Sequence, residues 1–273
     1  METSRPMWTR GRARFEGDQI ILDGKIARPY VLFQEPEQHE RLLMDLAELR
    51  LLGSIADNRI LNKRMKNPAL ARDFVRRHGL IWHRPQRDGD DCQESWHSWL
   101  LEGYKLSLTI ALYARLREVI TADSRERVRV SLNNLRATLR NIRDVRNAEG
   151  RIPEDDHELL EDVSILIAQQ ITEGLEGCTP TILAACSLER GGAKVGPAGD
   201  FRSTINPSDL LAVAYNELVT LIEMKAEFRE CVGCGRFWRF NPDIHHRNRR
   251  YCEDACYERT RKREDRAKKR SSL

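Results

Sequence analysis

Four of the seven cysteines in this 273-residue chain fall between Cys231 and Cys256. They come as two close pairs, Cys231 and Cys234 at C-x2-C spacing and Cys252 and Cys256 at C-x3-C spacing, with seventeen residues between the pairs. Thiolates at such short intervals act as local chelates. Two chelating pairs complete the closed tetrahedral set that holds structural Zn2+ through bonds of about 2.3 Å. The competing reading, redox-active or merely buried pairs, fits less well with a chain that opens on no secretory segment. Cys231, Cys234, Cys252 and Cys256 are therefore expected to ligate zinc in a cytoplasmic protein. Cys92, Cys178 and Cys186 lie far apart and read as ordinary buried thiols.

The residues between the ligands suggest a small fold around the metal. Gly233 and Gly235 flank Cys234 and permit a tight knuckle whose amides point at sulfur. Arg236 to Phe240 and Arg249 to Cys252 read as two short strands joined through a turn at Asn241-Pro242-Asp243. Glu253 and Asp254 suit a helix N-terminus, which places Cys256 in the first turn. Knuckle, hairpin and helix together make a treble-clef-like finger, too small to hold a core without its metal. His245 and His246 are read as exposed turn residues because the cysteines already fill four positions. At least two of Phe237, Trp238, Phe240 and Tyr251 must pack this minimal core rather than stack on bases.

Charge separates the two parts of the chain. Cys231 to Leu273 hold 13 Lys/Arg and 6 Asp/Glu, a balance of +7, so within a total of +4 the first 230 residues carry −3. Arg236, Arg239, Arg247, Arg249 and Arg250 surround the hairpin, and Arg259, Arg261, Lys262, Arg263 and Arg266 follow on the helix. Arg259, Arg263, Arg266 and Arg270 recur at helical spacing as one stripe. No apolar face accompanies these cations, so a nucleic acid suits them better than a membrane, and arginine's planar fork suits phosphate and guanine. The bland alternative is a solvated terminal helix, partly neutralised by Glu258, Glu264 and Asp265.

Cys231 to Arg263 resembles the CGNR zinc finger, found at the C-terminus of bacterial proteins regarded as transcription regulators, often behind a helical stress-response-type domain. The basic-aromatic approach "RRYCEDAC" to the second pair carries the likeness, as does the order of helical domain then finger. The eponymous C-G-N-R corresponds to Cys256-Tyr257-Glu258-Arg259, keeping the ligand and the arginine and replacing Gly and Asn, and the first pair is tighter than the family's usual spacing. The resemblance implies a DNA-binding regulator of transcription.

The elements that must position this module are mostly helical. Apolar residues step by three and four over Glu37–Leu52, Pro68–His78, Gln93–Ile120, Arg125–Val145 and Asp156–Leu175. Ala13 to Phe33 alternates instead, with turn candidates at Gly17-Asp18 and Asp23-Gly24, and suggests two or three short strands. Thr179 to Asn206 reads as a strand followed by a loop or β-hairpin. Asn206 as N-cap, with Pro207 next, would open a helix carrying Leu211, Leu218, Ile222 and Phe228 on one face and ending just before Cys231. The expectation is a mainly α protein with a small N-terminal β element, in the α+β class. Residues 1–228 form the core domain and 229–273 the finger.

Two features of the core tempt toward other chemistry. "QESWHSWLLEGY" gathers Glu94, Ser95, His97 and Ser98, but helix neighbours do not face one another, and Trp96, Trp99 and Leu100 read as core contacts, so no enzyme is expected. Arg136, Arg140 and Arg143 make a second cationic patch, most simply a solvated face. Glu154-Asp155-Asp156 and Glu161-Asp162 are taken as helix N-terminal charges. The functional expectation is a zinc-finger DNA-binding regulator whose helical domain senses a ligand or mediates homodimerisation. RNA binding, or a zinc module for protein contacts alone, are the alternatives.

Overall fold

The computed structural model describes residues 7–29, 36–52, 55–56, 59–60, 64–78, 80–81, 93–146, 151–176, 179–184, 201–206 and 209–271. Cys92, Cys178, Cys186 and Pro207 lie outside them. In chain order the elements are β1 (Met7–Glu16), β2 (Gln19–Pro29), α1 (Pro36–Glu48), a 3-10 turn (Leu49–Leu52), β3 (Ile55–Ala56), β4 (Arg59–Ile60) and α2 (Pro68–His78). There follow β5 (Gln93–Ser95), α3 (Trp96–Ile120), α4 (Arg125–Arg146), α5 (Asp156–Gly174), β6 (Thr179–Ala184) and β7 (Phe201–Asn206). The chain ends with α6 (Leu210–Glu223), β8 (Glu227–Glu230), β9 (Phe237–Phe240) and α7 (Asp254–Ser271).

The fold is mainly helical with small antiparallel sheets. α3 is the axle, since α1, α4, α5 and α6 all pack on it. Its sequence is apolar on several sides for that reason, and Trp96, Trp99, Leu100, Leu106 and Ile110 are at most 1% exposed. Leu42, Leu43 and Leu46 of α1, Leu132, Leu135 and Leu139 of α4, and Leu159 and Val163 of α5 close over it in one contiguous core. Among the described residues no helix is long and apolar enough to cross a membrane.

Several boundaries differ from expectation, each for a local reason. β1 and β2 are two long strands joined at Gly17-Asp18. Asp23-Gly24 is no turn: the register shifts there, with Arg12 opposite Asp23 and Arg10 opposite Ile26. Gln93 to Ser95 is a third strand paired with Gln19 to Ile21, and the Ser95 hydroxyl caps α3 by accepting from the His97 amide. Glu94, buried at 6% exposure, accepts from the Ile81 amide at 2.8 Å and from Trp99 Nε1 at 2.7 Å. It pins β5 to the helical core, so the burial expected of Trp96 and Trp99 holds. β6 and β7 pair antiparallel, which agrees with the β-hairpin of the two arrangements expected over Thr179 to Asn206, and residues 185–200 between them lie outside those described.

Charge at the helix ends follows the sequence. Asp155 caps α5, its carboxylate accepting from the His157 and Glu158 amides. Arg136 is no free patch member, because it reaches Asp156 at 2.6 Å and the Glu154 carbonyl at 2.8 Å and ties α4 to the start of α5. Arg140 is exposed. The side chain of Arg143 is outside those described.

The last helix before the cysteines departs most. Asn206 ends β7, and the cap of α6 is Asp209, whose carboxylate accepts from the Ala212 amide at 2.8 Å. α6 stops at Glu223, Lys225 turns the chain at φ 55°, and Phe228 stands on β8 rather than on a helix face. The expected domain division after residue 228 falls inside that strand.

Candidate metal centre

β8 and β9 pair antiparallel, Phe228 opposite Arg239 and Arg229 opposite Trp238. The hairpin therefore flanks the first cysteine pair; Arg249 to Cys252 forms no strand and is held by a bond from the Val232 amide to the Arg250 carbonyl at 3.1 Å. The knuckle closes by Cys231 N donating to Arg236 O at 2.9 Å and Gly235 N donating to Cys231 O at 2.8 Å. Gly235 takes φ 68°, which a Cβ would strain. At Gly233 a Cβ would stand 2.4 Å from Thr260 Oγ1 and 2.8 Å from Cys256 Sγ, so glycine lets the knuckle touch α7.

The two faces of this hairpin bury against different things. Phe228, 3% exposed, belongs to the helical core and meets Tyr113 of α3 edge-on at 6.0 Å, and Phe237 packs on the same side. Trp238 and Phe240 face the other way and form a second cluster with Cys231 and Cys256, flanked by Tyr251 and Cys252. The hairpin is thus a partition between two cores, and side-chain alternation along β9 makes it one. The aromatic residues required for the small core are Trp238 and Phe240, 7% and 4% exposed.

The four sulfurs lie within 4.8 Å of one another. Cys231 and Cys256 stand 3.5 Å apart and Cys234 and Cys252 3.8 Å apart. A tetrahedron with metal–sulfur bonds of about 2.3 Å has edges of about 3.8 Å. One cysteine from each sequence pair meets one from the other, so the second pair folds back onto the first, and the set can hold a metal ion. Cys256 sits in the first turn of α7, its amide donating to Glu253 O at 3.1 Å.

One of the four thiols, Cys231, is prepared for ionisation. Burial alone would raise the Cys231 thiol, but backbone amides of Cys252, Cys234 and Gly233 outweigh it and hold it down at about 6. Burial pushes the Cys234 and Cys252 thiols up, and each is raised further by a neighbouring thiol. Thiols this close resist joint ionisation unless a cation enters among them. Two arginines face the cluster. The positive charge of Arg236 works against that rise at Cys252, and its guanidinium forms ion pairs with Glu48 of α1 and, at 3.2 Å, with Glu253. Arg259, exposed on α7, interacts electrostatically with Cys256 and lies 3.5 Å from Glu253. Four thiolates around a divalent ion leave a net charge of −2, which these two guanidiniums offset.

The cations grouped in the sequence divide in space. Arg236 is half-buried, and Arg249 donates to the Tyr251 and Cys252 carbonyls, both at 2.9 Å, behind the second pair. Arg239 is half-buried on β9; Arg247 and Arg250 are exposed. Arg259, Arg261, Lys262, Arg263 and Arg266 are all exposed on α7. His246 is exposed, but His245 is half-buried against Trp238, ring centroids 5.1 Å apart, its Nδ1 accepting from the Asn241 amide. Neither belongs to the sulfur cluster.

Sequence reasoning missed the seat of the finger on the core. Arg115 of α3 reaches Glu230 at 2.6 Å, and Arg50 donates to the Gly235 carbonyl at 3.2 Å. Arg229 lies over the Phe240 ring at 3.3 Å. The Arg115–Glu230 and Arg50–Gly235 contacts join residues 115 and 185 positions apart, and no local spacing announces them. The chain matches no family model, no curated protein and no solved structure.

Proposed function

We propose that this chain binds nucleic acid, duplex DNA in preference to RNA, through a zinc-stabilised, treble-clef-like finger of the CGNR type, and that it regulates transcription in the bacterial cytoplasm. Cys231, Cys234, Cys252 and Cys256 hold Zn2+, which here supplies fold rather than chemistry. Four thiolates with no carboxylate or open position favour zinc over harder cations. Residues 1–228 act as the sensing or dimerising part.

The observation that supports this reading most is the placement of α7. The helix starts two residues before the last metal ligand, and every residue from Arg261 to Arg270 is exposed. A metal that fixes Cys256 therefore fixes the direction in which Arg259, Arg263, Arg266 and Arg270 project. Phosphate attraction supplies sequence-independent affinity, and arginine forks supply contacts to base edges.

The test is selection of bound sequences from a mixed pool of random duplex and single-stranded DNA and RNA, followed by salt titration of the winners. Duplex enrichment, with a log–log salt slope that falls by about 1 for each arginine removed from α7, is the expected outcome. Enrichment of RNA would transfer the site to that polymer. No enrichment would leave the module to protein contacts.

A further inference from the structure

An open cleft of about 1160 Å³ runs between the hairpin side of the finger and the C-terminal end of α3. Its volume lies at or above the upper end for small-molecule pockets, about 1,000 Å³, and its open form suits a length of polymer rather than an enclosed ligand. Three carboxylates line it, Glu118, Glu227 and Glu230. All are engaged: Arg115 reaches Glu118 at 2.7 Å and Glu230 at 2.6 Å, and Arg229 reaches Glu227 at 2.6 Å.

Four other lining cations have no such partner, and one of them, Arg249, is spent on the Tyr251 and Cys252 carbonyls. Among the described residues no carboxylate pairs with Arg117, Arg247 or Arg250. Arg127, also on the wall, is matched by Asp123 at 2.8 Å. The floor is preorganised, since Arg229 is stacked on Phe240 and donates to the Arg247 carbonyl at 2.6 Å. A cleft with unspent positive charge from both the finger and the helical core suits a polyanion.

We infer that this cleft is a second phosphate-contacting surface, in which Arg117 of the core joins Arg247 and Arg250 of the finger on the backbone of the bound nucleic acid. The inference rests on the nucleic-acid reading above and adds to it a residue of the helical core that the cysteine module alone would not supply. The core then contributes directly to affinity.

The experiment measures fluorescence anisotropy of a fluorescein-labelled random duplex against the zinc-loaded full chain over a salt series. It compares wild type with Arg117→Ala, Arg117→Lys, Arg250→Ala, and the combined Arg263→Ala, Arg266→Ala, Arg270→Ala variant. A lost phosphate contact flattens the salt slope by about 0.9, so that a fourfold rise in salt costs Arg117→Ala about 3.5-fold less affinity than it costs wild type. Arg250→Ala should do the same, and Arg117→Lys should keep the slope because a point charge suffices for phosphate. An unchanged slope in Arg117→Ala, alongside lost binding in the α7 variant, would overturn the cleft and leave the finger's role standing. Equal losses in Arg117→Ala and Arg117→Lys would also overturn it, since they would mark a packing role. Absence of duplex binding by wild type would remove both readings together.

Discussion

Replacing Arg236 with Met separates its role as a strut from any role as a DNA contact. The guanidinium is 31% exposed and bridges Glu48, 20% exposed on α1, to Glu253, 50% exposed ahead of α7, with its charge favouring the Cys252 thiolate. Removing it leaves Glu48 half-buried without its cation. Exposed ion pairs contribute about 0 to 1 kcal/mol and breaking a buried one costs about 3 to 5 kcal/mol, so this half-buried pair should cost about 2 kcal/mol. The Glu253 arm, being exposed, adds less than about 1 kcal/mol.

Loss of a group supporting a metal ligand also weakens the metal, typically by about 10- to 100-fold. Competition with a chromophoric chelator reads that loss, and thermal unfolding of the zinc-loaded chain reads the stability term. The pair Arg236→Met and Glu48→Gln, with their double variant, isolates the coupling across the core–finger seam. Zinc affinity within about twofold of wild type, together with a coupling below about 0.5 kcal/mol, would refute the strut. The salt slope of DNA binding should hardly change, in contrast with the exposed arginines of α7.

Chelation of the metal, or Cys252→Ser, should unfold the finger and leave α1 to α6 helical; one zinc per wild-type chain by elemental analysis, against loss of that zinc in the variant, checks the ligand set. Gly233→Ala should weaken zinc binding by crowding Thr260 and Cys256, as the same chelator competition would show. Phe228→Ala removes a ring that is 3% exposed in the helical core, and denaturant unfolding should show a loss of about 3 to 5 kcal/mol with the metal still bound.

α4 was legible because it is amphipathic over several turns. Leu132, Leu135 and Leu139 are at most 6% exposed at the spacing that marked them as one face. The gathering of the four cysteines was legible because short-range chelation is a property of the local chain. The end of α6 was not, for a physical reason: Phe228 continues the spacing of Leu218 and Ile222, and the turn that breaks the pattern uses Lys225 at φ 55° where a glycine would have announced it. The hairpin was misplaced for the same reason, since its first strand was absorbed into the helix. Arg236 looked like its neighbours because its partner Glu48 lies 188 residues away.

That misplacement bears on how the two parts of the protein communicate. A helix running into the finger would pass torque along one rod. The observed hairpin instead shares its residues by alternation, Phe228 and Phe237 to the helical core, Trp238 and Phe240 to the cysteine cluster. Neither core can repack without moving the same backbone, and the ladder from Glu227 to Glu230 resists a one-residue slip because every side chain would then change face. A ligand or partner that shifts α3 would press on Phe228 through Tyr113 and on Glu230 through Arg115. The response at the finger would be a change in how its arginines are presented, while the sulfur cluster keeps its geometry.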